Sequence, residues 1–103
     1  MEKDRRIELH KALVDILGST NVYFQPPETV KLKYPCIIYS RRKGDTQFAG
    51  NRPYIYAMSY DITVIDRDPD SEIPEKVASL PMCISDRHYT ADNLNHDTFV
   101  LYY

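Results

Sequence analysis

Tryptophan is absent from this 103-residue chain, cysteine appears twice and glycine three times. Cys36 and Cys83 stand 47 positions apart, and neither has a second cysteine at the close spacing that zinc sites and redox motifs require. A disulfide scaffold and a cysteine-based zinc site are therefore disfavoured, and two buried free thiols are expected. No P-loop, G-x-G-x-x-G or G-x-S-x-G motif occurs, which removes the commonest phosphate-binding and serine-nucleophile signatures. No apolar run approaches the roughly 20 residues of a membrane span. The N-terminus, MEKDRRIELHK, mixes charges of both signs and has no apolar core, so it does not read as a signal peptide; the protein is expected to be made and kept in a cytosol.

The length suits one domain, residues 1–103. A domain this small buries only about 65% of its unfolded surface, so its core is thin and a partner surface would help it. The net charge of −2 hides an asymmetry: residues 1–43 hold nine Lys/Arg against five Asp/Glu, and residues 44–103 hold four against ten. A protomer with one positive and one negative surface suits head-to-tail contacts, which close into rings when the rotation allows. Tyrosine supplies nine of the twelve aromatics, a residue at home in strands and at interfaces where one end of the ring stays wet.

Periodicity predicts a helix over 4–17, with Asp4 as N-cap and Gly18 as its stop. Ile7, Leu13, Val14 and Leu17 form its apolar stripe, His10 lies at the edge, and Leu9, Ala12 and Ile16 widen it. Val22–Gln25 reads as a short strand that Pro26-Pro27 ends or confines to a sheet edge. Cys36–Arg42 reads as a buried strand with a basic exit, and 43–53 as a loop or hairpin tip. Tyr54–Asp66 alternates, with Tyr60, Ile62 and Val64 in the set predicted to face the core. A short helix opens at Pro74, capped by Ser71 or Asp70, and runs to about Leu80, with Ile73, Val77 and Leu80 on one face. Strands over 83–90 and 97–103 flank a turn at 91–96. The last strand is apolar on both faces, which predicts cover from both sides, a neighbouring subunit included. The order is α-β-β-β-α-β-β, an α+β domain with a mainly antiparallel sheet and two helices.

The run YDITVIDRDPDSEIPEKVAS, residues 60–79, places Asp66, Asp68, Asp70 and Glu72 at alternate positions where a strand meets a helix. Acids at a strand end suit a metal-dependent hydrolase or nuclease, and Asp66, Asp68 and Asp70 match the first ligand positions of a calcium EF-loop. Ser71, however, stands at that loop's obligatory glycine and Val77 at its bidentate glutamate, while Pro69 interrupts it. A nuclease-type acid-x-Lys pairing with Lys76 would need an acid where Pro74 stands. The favoured reading is structural, since acids at a helix mouth face free amides and the positive end of the dipole. His10, His88 and His96 form no close ligand set, although the last two straddle the final turn. No catalytic residue, metal or other cofactor is therefore assigned.

Arg41, Arg42 and Lys43, with Phe48 and Arg52 on the following loop, make the one basic patch that includes an aromatic. A pI near 5.9 argues against dedicated nucleic-acid binding and leaves an acidic partner as the alternative to a solvated loop.

The blocks YPCIIY (34–39), NRPYIYAMSYDITVIDRDPDSEIPEKVASLP (51–81) and DRHYTADNLNHDTFVLYY (86–103) resemble the tail terminator, or tail-completion, proteins of long-tailed phages. That resemblance implies an α+β fold assembling as a homo-oligomeric ring, often a hexamer, that caps the tail tube and joins it to the head connector. It implies a structural protein of the virion neck, assembled in the host cytoplasm, with tail-tube protein and head connector protein as partners. Another head–tail connector or a minor capsid protein is the nearest alternative; a small hydrolase using the 66–72 carboxylates and a nucleic-acid regulator stand further off. Candidate contacts between subunits are Arg41, Arg42, Lys43, Phe48, Arg52, Asp66, Asp68, Asp70, Tyr102 and Tyr103, the acidic turn docking against the basic strand end of a neighbour.

Overall fold

The computed structural model describes the backbone of residues 2–42, 48–49, 52–53 and 59–103, and the side chains of residues 4–42 and 59–103. Among the described residues two helices and seven strands follow one another as α1 (Glu2–Leu17), β1 (Val22–Phe24), β2 (Cys36–Arg41), β3 (Phe48–Ala49), β4 (Arg52–Pro53), β5 (Ser59–Asp66), α2 (Ile73–Ala78), β6 (Cys83–Ala91) and β7 (Leu94–Tyr102). Five strands form one sheet in the order β1-β2-β5-β7-β6, and β3 pairs with β4 as a small separate hairpin. All pairings in the main sheet are antiparallel except β1 with β2. The fold is α+β, and its main-sheet order matches the α-β-β-β-α-β-β reading.

Both helices contribute to one core on one face of the sheet. Leu9 and Leu13 from α1 and Val77 from α2 meet Ile37, Tyr39, Tyr60, Ile62, Val64, Phe99 and Leu101 from the strands. Leu9 and Leu13 are wholly buried, while Val14, Ile16 and Leu17 are only partly so. The buried line of α1 is thus centred on Leu9 and Leu13, and Leu9 belongs to its middle rather than its margin. Each of these leucines contributes about 1.5–3 kcal/mol by leaving water. The helix starts at Glu2, upstream of the expected Asp4 cap. It stops where expected: Gly18 takes φ +77, open to glycine at no steric cost, and its amide donates to the Val14 carbonyl at 2.8 Å.

On β5 the alternation works as read, with Tyr60, Ile62 and Val64 all within 1% of full burial. The expected upstream part, 54–58, lies outside the described residues. On the opposite face no helix lies among the described residues, yet Cys36 and Ile65, paired neighbours on β2 and β5, are also buried. There Tyr34 lies against Arg67, whose guanidinium carbon is 5.7 Å from the ring centroid.

α2 is a crossover. β5 and β6 both run antiparallel to β7, so they are parallel to each other with β7 between them, and α2 joins them. The cap of α2 differs from the expected one: Glu72 is the N-cap residue and makes no side-chain cap bond, while Ser71 Oγ accepts the Ile73 amide at 3.3 Å. The last turn is tighter than 91–96. Only Asp92 and Asn93 separate β6 from β7, with φ of 54 and 63, the left-handed pair that two-residue hairpins favour.

Candidate assembly surfaces

The antiparallel register sets the positions of the charged segments. Arg41 lies opposite Tyr60 at one end of the β2–β5 pair, and Cys36 lies opposite Ile65 at the other, one residue before Asp66. The six-residue step from Tyr60 to Asp66 carries the chain about 20 Å at the usual rise per strand residue. The basic exit of β2 and the acidic exit of β5 therefore occupy opposite ends of one sheet.

At the acidic end the carboxylates build the corner they sit in. Asp66 Oδ1 accepts the Asp68 amide at 3.0 Å, and Asp68 Oδ1 accepts the Asp70 amide at 2.9 Å, so two side-chain turns follow in succession. The Ser71 amide closes on the Asp68 carbonyl at 3.3 Å. Asn95, at the start of β7, clamps the corner by donating Nδ2–H to the Asp66 carbonyl at 3.2 Å. Asp66 and Asp68 are successive turn-formers: each takes the amide two residues ahead, a structural role for the first two acids that needs no ligand. Among the described residues no three His, Cys, Asp or Glu side chains come together as a metal-ligand set. Arg67, Asp68 and Asp70 are exposed, so the corner presents its remaining carboxylate oxygens to solvent.

At the basic end, Arg42 Nε lies 3.6 Å from Asp61 Oδ1 across exposed surface, a pair of small energetic weight. Its amide donates to the Ser59 carbonyl, and the Arg41 amide donates to Gln25 Oε1 at 3.2 Å, fixing the strand exit. Tyr102 pairs with Ser59 at this same end. Tyr103 follows it, with the Arg5 guanidinium 5.8 Å from its ring centroid and its hydroxyl donating to Glu8 Oε2 at 3.4 Å. Burial, and then the Glu8 carboxylate, raise the Tyr103 phenol above its ordinary range. Arg41, Arg42, Tyr102 and Tyr103 thus gather at one end and Asp66, Asp68 and Asp70 at the other. Lys43 and the side chains of Phe48 and Arg52 lie outside the described residues.

One polar cluster carries no signature in the sequence. Tyr39 is wholly buried on β2, and its hydroxyl lies 2.7 Å from His10 Nδ1 and 3.2 Å from Arg6 Nη1 of α1. Arg6 donates to the phenol oxygen, and the phenol shares a second hydrogen bond with His10 Nδ1 whose direction follows the imidazole tautomer. Burial, with Arg6 adding to it, lowers the His10 pKa below 6.5. Burial raises that of Tyr39, and the Arg6 hydrogen bond works against the rise. The i, i+4 spacing of Arg6 and His10 was visible, but their common partner 29 residues beyond His10 was not. This cluster ties α1 to the sheet.

Both thiols are free. Burial, and then the nearby Asp66 carboxylate, push Cys36 up to about 11. Cys83 is half-buried rather than buried, and desolvation raises its pKa too. With β5 and β7 between their strands, the two sulfurs cannot approach bonding distance.

Comparison with protein-family models, with curated proteins and with solved structures gives no match for this chain.

Proposed function

We propose that this protein is a self-assembling structural protein, acting through its surfaces rather than through a catalytic centre. More particularly, it is a tail terminator of a long-tailed phage: a ring of copies that caps the tail tube and offers a face to the head connector. The observation that carries the class is the placement of the basic β2 exit and the carboxylate corner at opposite ends of one sheet, about 20 Å apart by strand rise. Opposite charges at opposite ends of a rigid body favour a head-to-tail contact, and repetition of that contact closes into a ring or runs on as a filament. The particular protein rests on the resemblance of residues 34–39, 51–81 and 86–103 to that phage family.

The acidic corner favours docking over hydrolysis, because Asp66 and Asp68 each hold a backbone amide with one carboxylate oxygen. A hydrolytic metal would compete for those oxygens and open the turn. The direct test is tail-tube capping. Tube protein of the phage that encodes this chain is allowed to polymerise with and without it, and tube lengths and ends are scored by electron microscopy. Arrested tubes with a ring at one end are the expected result. Tubes of unchanged length with bare ends would refute the reading.

A further inference from the structure

Of the five strands of the main sheet, β6 is the most exposed. It spans nine residues at the edge of the sheet, and all but Cys83 are exposed. Its inner side pairs with β7, and among the described residues no strand pairs with its outer side. The other edge, β1, has three residues and runs into Pro26-Pro27, so it offers little ladder to a neighbour. An exposed edge of this length is a template for another strand unless its side chains forbid the pairing.

The side chains of β6 favour one particular pairing. A register shift at Ser85/Arg87 inserts Asp86 as an extra residue. Opposite β7, Cys83, Ser85, His88 and Thr90 stand against Leu101, Phe99, Asp97 and Asn95, on the face that carries the helices. Ile84 and Tyr89 stand against Val100 and His96, on the open face. Asp86 and Arg87 both meet Thr98 on that open face: Asp86 Oδ2 accepts its hydroxyl at 3.0 Å, and the Arg87 amide donates to its Oγ1 at 3.1 Å. Now place a second β6 antiparallel, with a two-fold axis between residues 86 and 87. Asp86 then meets Arg87, Ser85 meets His88, Ile84 meets Tyr89 and Cys83 meets Thr90, each pair twice. All four pairs match face for face, which antiparallel pairing demands. A one-residue slip would set Arg87 against Arg87 and put Ser85 opposite Tyr89, on the wrong face.

We infer that β6 is a homodimerisation edge, joining a second copy of this chain across a two-fold axis in the Asp86–Arg87 register. The contact joins opposite charges at its centre and covers Ile84 and Tyr89, which are 59% and 38% exposed in the single chain. Such a contact is isologous and closes at two copies. It is therefore separable from head-to-tail contacts at the strand ends and does not depend on the function proposed above.

The test is a charge exchange read by sedimentation velocity over a concentration series. Asp86→Arg sets like charges opposite each other twice, and so does Arg87→Asp; each is expected to weaken the two-fold contact by about tenfold. The double variant Asp86→Arg/Arg87→Asp restores opposite charges at both places and is expected to recover the wild-type constant. A second measurement fixes the register: Ile84→Cys/Tyr89→Cys on a Cys83→Ser background should give an interchain disulfide dimer on mild oxidation. Association that ignores residues 86 and 87 but falls on charge reversal at Asp68 or Arg42 would overturn the β6 pairing alone. The opposite pattern would overturn the head-to-tail contact alone. A strict monomer would overturn both.

Discussion

Replacing Tyr39 with phenylalanine removes one oxygen from the middle of the fold and leaves the ring. The ring keeps its neighbours, with Phe24 at 4.9 Å and Tyr60 at 6.0 Å between centroids. Two hydrogen bonds go: the one to His10 at 2.7 Å and the one from Arg6 at 3.2 Å. A neutral bond contributes about 1 kcal/mol net and one to a charged group about 1.5–3 kcal/mol. His10 and Arg6 are both half-buried and regain part of that from water. The expected loss is therefore about 2 kcal/mol, which lowers Tm by roughly 10 °C in a domain of this size. Urea and thermal melts measure it. The pH dependence gives an independent reading. Because His10 titrates lower in the fold than its ordinary 6.5, the unfolded chain takes the proton first. This contribution is complete above pH 6.5 and is lost as pH falls from there through the folded value. In Tyr39→Phe the burial and the Arg6 charge that lower His10 both remain, so the same decline below pH 6.5 is expected. A variant as stable as wild type would refute this account of the cluster.

A thiol reagent at neutral pH should modify Cys83 slowly and Cys36 only on unfolding, since Cys36 is fully buried and its pKa is pushed up to about 11; equal rates in the native protein would contradict the burial. Val77→Ala should cost about 2 kcal/mol, read by urea unfolding, because Val77 is the only buried residue of the six-residue α2 and holds it on the sheet. Asn93→Gly should raise stability by about 0.5 kcal/mol, since Asn93 sits at φ 63, a conformation glycine adopts freely; a destabilised variant would show that its side chain matters more than its backbone.

The elements were legible wherever one residue period dominated. The alternation of Tyr60, Ile62 and Val64, the Gly18 stop and the Pro74 start all lie within a few residues of their cause. What was not legible is set by contacts between distant segments. Leu9 became the centre of the α1 stripe because the helix rolls to meet both the sheet and Val77 of α2, and no periodicity within α1 reports that. α2 serves as a crossover because β7 inserts between β5 and β6, a pairing decided at the far end of the chain. The acidic corner was readable as a corner from its Asp-Pro and Asp-Ser steps, but the successive amide bonds from Asp66 and Asp68 needed the turn geometry. The separation of positive and negative ends was only half readable. Composition gave a basic first half and an acidic second half, and the β2–β5 register then placed their extremes at opposite ends of the sheet.

Sedimentation velocity of the wild type, Arg42→Glu, Asp68→Arg and the double variant tests that separation most directly. Arg42 and Asp68 are exposed on opposite ends, so each change leaves the core intact. Head-to-tail assembly predicts that the wild type forms oligomers larger than a dimer, that each single reversal dissociates them, and that the double variant restores them by exchanging the two signs. Wild-type protein that never exceeds a dimer, or single reversals that assemble as well as wild type, would contradict it.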